Sequence, residues 1–220
     1  WPNLNFDLSA LNNTLSGLFP SGFYYKTFMW PSKLWPIYEK NIRRVAGIGK
    51  SPSDHDPDTY AHKFVHCDIL IAGGGPTGLM AALSAGSSGA RVILCDQNPR
   101  CGGMLLGRQA QVSGKNCIDW VGDTLETLRT MDNVTILNRT TATAYYDHNL
   151  IVLNERVADH KQVPENYEPR HRLLHVRAKE VVLATGSIER PLVFAENDLP
   201  GVMLLSAVQS YAYTYGVLAG

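Results

Sequence analysis

The chain has 220 residues, 45% of them hydrophobic, and its 20 lysines and arginines are balanced by 20 aspartates and glutamates. It is too apolar and too weakly charged for a disordered polymer, and its zero net charge argues against nucleic-acid or anionic-membrane binding. The sequence holds no run of about 18 apolar residues, so no membrane-spanning helix is predicted. Because it begins with Trp1 rather than Met, we expect a piece of a longer protein.

The first 62 residues are predicted to form an N-terminal arm and linker. They are crowded with aromatic residues and prolines and have little periodicity, which is typical of an extended segment lying against something larger. Residues 37–46 predict one short helix that ends near Gly47, and the polar, proline-bearing residues 51–58 predict a linker. We therefore place a boundary near residue 62, with a nucleotide-binding domain over residues 63–220.

Apolar runs that alternate with helical patterns predict an α/β fold beyond this boundary. A strand, a helix and a second strand are expected over residues 69–71, 77–88 and 92–94. A later helix over residues 116–130 has an apolar face formed by Ile118, Val121, Leu125 and Leu128. A further strand, a small meander and a last strand are predicted over residues 134–137, then 141–146, 150–153 and 173–176, and finally 181–184.

These elements predict a Rossmann-like domain of the FAD/NAD(P)-binding, two-dinucleotide-binding-domain type. A small antiparallel β-meander accompanies it, the aromatic-rich arm precedes it, and the fold is expected to be incomplete at its C-terminus. The strongest local signal is the G-x-G-x-x-G motif over residues 73–78, which follows an apolar strand and precedes a helix.

Each position of this motif has a physical role in binding a dinucleotide. Gly73 permits a tight turn, Gly75 has no Cβ to block a pyrophosphate, and Gly78 lets the helix pack closely on the strand. The backbone amides of Thr77 and Gly78, at the positive end of the helix dipole, are candidate phosphate donors.

An acid follows the second predicted strand at the spacing that the motif expects. Asp96 would accept hydrogen bonds from an adenosine ribose and would repel a 2′-phosphate, which favours NAD or FAD over NADP. Gln97, Asn98 and Met104 follow in a turn that would run along the adenosine half, where two glycines indicate either close backbone approach or a plain turn. Ala142 is a candidate for main-chain contact with an adenine edge, or a simple core alanine.

A second signal comes from the last predicted strand, which ends in Thr185-Gly186. In a parallel sheet the carboxyl ends of the strands line the ligand crevice, so this corner would let the cofactor pass. No catalytic residue or metal ligand is predicted, because there is no convincing nucleophile–base pair and the four cysteines contain no CxxC pair. We expect those cysteines to be reduced thiols of a cytoplasmic protein.

Several segments, taken with this motif, resemble the alpha subunits of heterotetrameric sarcosine oxidases. The most specific are Phe-Tyr-Tyr-Lys-Thr-Phe-Met at residues 23–29 and Glu-Arg-Pro-Leu-Val-Phe at residues 189–194. Further matching segments are residues 35–39, 42–47, 181–186 and 197–203.

This resemblance implies an oxidoreductase that acts on CH–NH donors. The complex would convert sarcosine to glycine, hydrogen peroxide and formaldehyde or, with tetrahydrofolate, methylenetetrahydrofolate. It implies NAD in this chain, FAD and FMN in the beta subunit or at its interface, and beta, gamma and delta subunits as partners. The NAD contacts would fall on Thr77, Asp96, Gln97, Asn98, Met104 and Ala142. The family more often has an acid and a base after the aspartate, so main-chain contacts are expected at positions 97 and 98.

Two other functions stay open at this point. In the first alternative, the chain is part of an FAD-bearing subunit of a related amine, opine or cyanide-forming dehydrogenase. In the second, it is a non-catalytic scaffold with a vestigial nucleotide site. Asp96 rather than glutamate favours NAD over FAD. A flavin absorption band would favour the dehydrogenase, whereas unchanged NAD affinity and unchanged activity of the complex in Asp96→Ala would favour the scaffold.

Overall fold

The computed structural model describes residues 6–14, 16–18, 22, 30–49 and 51–218. The resemblance segment at residues 23–29 lies outside these described residues. The chain divides into two compact units, Trp1–Asp56 and Pro57–Gly220. Among the described residues, no helix is both long enough and apolar enough to cross a membrane.

The described residues of the first unit form short helical segments and one longer helix. Three 3-10 turns lie at Leu8–Ala10, Ser16–Leu18 and Ser32–Leu34. The short helix α1 spans Leu11–Thr14. Helix α2 spans Trp35–Val45, which confirms the predicted helix. It starts before the predicted residue 37 because Pro36 lies in its first turn, where a missing N–H costs no intrahelical hydrogen bond.

The second unit carries all the strands of the described chain. They are β1 Tyr60–Ala72, β2 Val92–Cys95, β3 Gln111–Val112, β4 Lys115–Asn116, β5 Val134–Leu137, β6 Thr140–Tyr146, β7 Leu150–Arg156 and β8 His171–Leu183. The helices are α3 Pro76–Ser87, α4 Cys117–Arg129 and α5 Leu205–Tyr215, with 3-10 turns at Gly103–Gly107 and Asp147–Asn149.

Six of the strands form one mixed sheet in the order β5-β2-β1-β8-β7-β6. Neighbouring strands are parallel from β5 through β2 and β1 to β8, whereas β7 is antiparallel to both β8 and β6. Strands β3 and β4 form a separate hairpin. The predicted α/β fold, a parallel sheet with a small meander, is confirmed.

Two strands are longer than their apolar runs predict. Strand β8 joins the runs predicted as separate strands over 173–176 and 181–184, and it pairs with β1 along its whole length. Its polar middle keeps the strand alternation, because Ala178 is buried between exposed Arg177 and Lys179. Strand β1 begins at Tyr60, so the boundary predicted near residue 62 falls inside it, and the assignment of domains stays a prediction.

The core of the second unit has two clusters of buried side chains. One includes Leu70, Leu153 and Val176 from the parallel strands and the meander. The other joins the sheet to helices α3 and α4 through side chains such as Leu79 and Leu128. The predicted apolar face of α4 holds for Val121, Leu125 and Leu128, but Ile118 is 53% exposed because it lies in the first turn at the edge of that face.

Candidate dinucleotide site

A cavity of about 550 Å³ opens at the carboxyl ends of β1, β2 and β8. Its lining includes every predicted site residue except Gly78: Gly73, Gly75, Thr77, Asp96, Gln97, Asn98, Met104, Ala142, Thr185 and Gly186. Residues from four separate stretches of chain therefore meet in one place, as the parallel topology requires. Whether they bind a cofactor stays a prediction.

Two glycines of the motif are required by the packing of the protein itself. Gly73 has φ +110°, and a Cβ on it would lie 2.3 Å from the carbonyl oxygen of Ala184 at the end of β8. Gly78 lies in α3, where a Cβ would come within 1.8 Å of the Gly73 carbonyl oxygen. Helix α3 can approach the sheet this closely only because both residues lack a side chain.

Gly75 differs from these two glycines because no protein contact requires it. It is extended, with φ −74°, and a Cβ on it would meet no protein atom closer than the Gly103 Cα at 4.0 Å. Gly75 lines the cavity and directly precedes α3. The space beside it is therefore open, which is the arrangement that a pyrophosphate close to the backbone needs.

Asp96 directly follows β2 and is only 7% exposed. Its Oδ2 accepts a hydrogen bond of 2.7 Å from the Gly74 N–H, and its Oδ1 accepts one of 2.8 Å from the Asn98 N–H. A carboxylate oxygen has two acceptor sites, so each oxygen keeps capacity for a second donor such as a ribose hydroxyl. Asp96 therefore holds two loops in place while it lines the cavity.

The turn after Asp96 packs on the glycine loop. The Gly102 N–H donates to the Gly74 carbonyl oxygen at 2.7 Å, and Gly103 has φ +53°. A Cβ on Gly103 would lie 2.9 Å from the Gly75 Cα. The glycines of this turn thus allow close backbone approach, and the partner in the structure is the glycine loop. Met104 lies beyond them, 55% exposed.

Residues after β5 complete the far wall of the cavity. Ala142 lies in β6 where the register with β7 shifts, between Ala142 and Ala144. Thr140 and Thr141 line the cavity beside it, although the sequence reasoning missed both. A signal was available, because they follow a parallel strand whose carboxyl end is expected to face the crevice. Gly186, which also lines the cavity, has φ +73°.

Among the described residues that line the cavity, Asp96 is the only one with a charged side chain. The lining therefore offers a phosphate backbone amides and a helix N-terminus rather than lysine or arginine side chains. All four cysteines are buried and free, and burial raises the pKa of Cys95 to about 11 and that of Cys101 to about 12. No group of three or more potential metal-ligating side chains occurs among the residues that the structure describes.

The fold and the cavity define a Rossmann-like dinucleotide-binding domain, and comparison with known proteins agrees. Residues 68–171 match the family model of FAD dependent oxidoreductases. Among solved structures, L-proline dehydrogenase from P. horikoshii is similar with a TM-score of 0.58 and 25% identity, over 78% of this chain and 32% of that chain.

Curated sequences give a more specific relationship. The chain is 50% identical to sarcosine oxidase subunit alpha of Rhizobium meliloti (strain 1021), over 100% of this chain and 22% of that subunit. It is 42% identical to the same subunit of Corynebacterium sp. (strain U-96), over 82% of this chain and 19% of that subunit. The chain is therefore homologous, over its full length, to about a fifth of a sarcosine oxidase alpha subunit, which confirms the predicted resemblance.

Proposed function

We propose that this chain is the dinucleotide-binding part of the alpha subunit of a sarcosine-oxidising complex and that its cavity binds the ADP half of NAD. The observation that carries the proposal is the open backbone space at Gly75 beside the buried Asp96 carboxylate, in one cavity. Homology to sarcosine oxidase alpha subunits supports the assignment to that complex.

Four groups of the cavity would hold the nucleotide. The backbone amides of Thr77 and Gly78 in the first turn of α3 would bind the phosphates. Asp96 would accept hydrogen bonds from the ribose, with main-chain groups of Gln97 and Asn98 beside it. Met104 and Ala142 would flank the adenosine, and Thr185 and Gly186 would leave a path for the rest of the ligand.

The charge of Asp96 favours NAD over NADP. A 2′-phosphate placed against this carboxylate would be repelled, and among the described residues the cavity lining holds no cation to offset that repulsion. When bound, NAD supplies a hydride acceptor. This chain's own residues contribute binding and orientation, and the amine oxidation itself would take place with FAD and FMN at the beta subunit.

The proposed complex removes the methyl group of sarcosine oxidatively. Its products are glycine, hydrogen peroxide and formaldehyde or, with tetrahydrofolate, methylenetetrahydrofolate. Beta, gamma and delta subunits are the proposed partners.

A second candidate is FAD in this same cavity. The match to FAD dependent oxidoreductases favours it, because an FAD shares the ADP half that the glycine loop and Asp96 would bind. A purified full-length subunit that carries FAD would have a flavin absorption band, whereas one that binds NAD alone would lack it.

Calorimetric titration of the full-length alpha subunit with NAD, NADP and FAD tests the proposal. We expect NAD to bind, NADP to bind at least about tenfold more weakly, and Asp96→Ala to lose most of the NAD affinity. Asp132→Ala, which removes an exposed aspartate, is the matched control. FAD binding without NAD binding would favour the second candidate, and unchanged NAD affinity together with unchanged activity of the complex in Asp96→Ala would point to a scaffold with a vestigial site.

A further inference from the structure

Arg156 contacts the turn after Asp96 from outside the cavity. It is the last residue of β7, and its Nη2 donates a hydrogen bond of 2.8 Å to the carbonyl oxygen of Gln97. Its own backbone N–H donates to the Arg139 carbonyl oxygen at 3.0 Å, so the base of the side chain is fixed as well. The meander is thereby joined to the turn that lines the cavity.

This contact completes a row of three consecutive carbonyl groups, each of which accepts a hydrogen bond from residue 139, 140 or 156. The Asp96 carbonyl oxygen accepts from the Thr140 N–H at 2.8 Å, and the Asn98 carbonyl oxygen accepts from the Arg139 N–H at 2.9 Å. The carbonyl between them, that of Gln97, is held by the Arg156 side chain. A side-chain substitution can therefore release the middle of the turn while the main-chain contacts on both sides remain.

The guanidinium group of Arg156 also faces a largely buried acid. Its Nη1 lies 3.9 Å from Oδ2 of Asp159, whose side chain is 19% exposed. The imidazoles of His160 and His171 face the same carboxylate, at 3.6 and 3.9 Å. Asp159 Oδ1 is buried and has no hydrogen-bond partner among the described residues, so this carboxylate depends on nearby positive charge. Arg156 is therefore held between the acid and the Gln97 carbonyl.

We infer that Arg156 is a positioning residue for the dinucleotide, because it holds the turn that places Asp96 and Gln97 against the ribose. The inference rests on the proposed function of the cavity. Both carboxylate oxygens of Asp96 already accept a hydrogen bond from a backbone N–H group. The orientation of the turn therefore fixes the direction in which the remaining acceptor sites of the carboxylate point. A shift of the turn would misalign these acceptors without removing them.

The test compares variants of the full-length alpha subunit by calorimetric titration with NAD and with ADP. We expect Arg156→Ala to weaken both ligands by the same factor, about tenfold, because the contact acts at the adenosine end that they share. Arg156→Lys should restore part of the affinity, since an ammonium group can still donate to the Gln97 carbonyl. Arg156→Ala should also lower the midpoint of thermal unfolding, because it leaves the largely buried Asp159 carboxylate without its arginine, so the titrations are carried out well below that midpoint.

Arg172→Ala is the matched control. Arg172 has a similarly exposed side chain and pairs with Glu155 at 3.0 Å, but it contacts no residue of the cavity in these interactions. If the wild-type protein binds both ligands and both Arg156 variants bind them equally well, the inference about Arg156 is overturned but the proposed function is not. If the wild-type subunit binds neither NAD nor ADP, the proposed function fails and the inference fails with it. If Arg156→Ala does not fold, Arg156→Met takes its place, because it keeps a long side chain but has no N–H to donate to the Gln97 carbonyl. Full affinity of that variant for NAD and ADP would overturn the inference.

Discussion

The backbone N–H of Gly74 donates a 2.7 Å hydrogen bond to Oδ2 of Asp96, across 22 positions of the sequence. The bond joins the loop after β1 to the loop after β2, which are the two loops that a dinucleotide would contact. Asp96 is buried at this junction. The acid that would recognise the ribose therefore also joins the protein's own loops, so its replacement affects stability as well as binding.

Replacing Asp96 by asparagine should lower the free energy of unfolding by about 1–3 kcal/mol. The amide oxygen can replace one carboxylate oxygen, but the NH2 group then faces a backbone N–H, and one buried donor loses its acceptor. Chemical denaturation of the full-length subunit without nucleotide measures this loss.

Asp123→Asn is the control for that experiment. Asp123 pairs with Lys115 on the surface, where both side chains are more than half exposed and solvent screens the charges, so its replacement should cost far less stability than that of Asp96. Equal stability of the two variants would contradict the structural role of Asp96.

Two glycines of the motif should respond to alanine in opposite ways. Gly75→Ala should leave the free energy of unfolding within about 0.5 kcal/mol of wild type, because the new methyl group meets no protein atom closer than 4.0 Å. It should weaken NAD by at least about tenfold, since the methyl group occupies space needed by the pyrophosphate.

Gly78→Ala should instead destabilise the protein by about 1–3 kcal/mol, because its Cβ would lie 1.8 Å from the Gly73 carbonyl oxygen. Denaturation and titration on the same two variants separate packing from binding. A Gly75→Ala variant that binds NAD normally would show that the open space is not used by the ligand.

Much of the site was predictable because it depends on short local patterns. The glycine motif, Asp96 and Thr185-Gly186 each lie where a strand ends, and the parallel topology brings those ends together. Thr140 and the bond between Gly74 and Asp96 were not predicted, because they depend on how separate loops pack. The length of β8 was missed for a related reason: its middle is polar, and only pairing with β1 keeps it extended.

The continuity of β8 makes a prediction about Ala178. Ala178 is only 5% exposed and belongs to the core cluster that includes the meander. Because Ala178→Lys would place a charge in this core, it should lower the free energy of unfolding by more than about 3 kcal/mol. Glu180→Lys changes an exposed position of the same strand and should have a much smaller effect. If residues 177–180 formed a loop between two strands, both lysines would be tolerated equally.

Buried thiols predict a loss of stability in alkali. Burial, and secondarily the Asp68 charge, raises the pKa of Cys67 from an ordinary value of 9.0 to about 11. Between these values the unfolded chain ionises while the folded chain keeps its proton. The unfolded state therefore binds fewer protons, and the free energy of unfolding falls as the pH rises, by at most about 1.4 kcal/mol per pH unit for one thiol.

Denaturation across this pH range, in reducing buffer, measures the slope, and Cys67→Ala is the comparison. Its slope should be flatter than that of the wild type, because one of the shifted thiols is gone. Identical slopes would mean that Cys67 does not contribute to the alkaline loss of stability.

A structure of the full-length protein with NAD tests the central claim most directly. We predict that the pyrophosphate lies at the start of α3 beside Gly75 and that a ribose hydroxyl of the adenosine lies within hydrogen-bond distance of Asp96. A nucleotide bound elsewhere in the subunit, with this cavity free of it, would contradict the account.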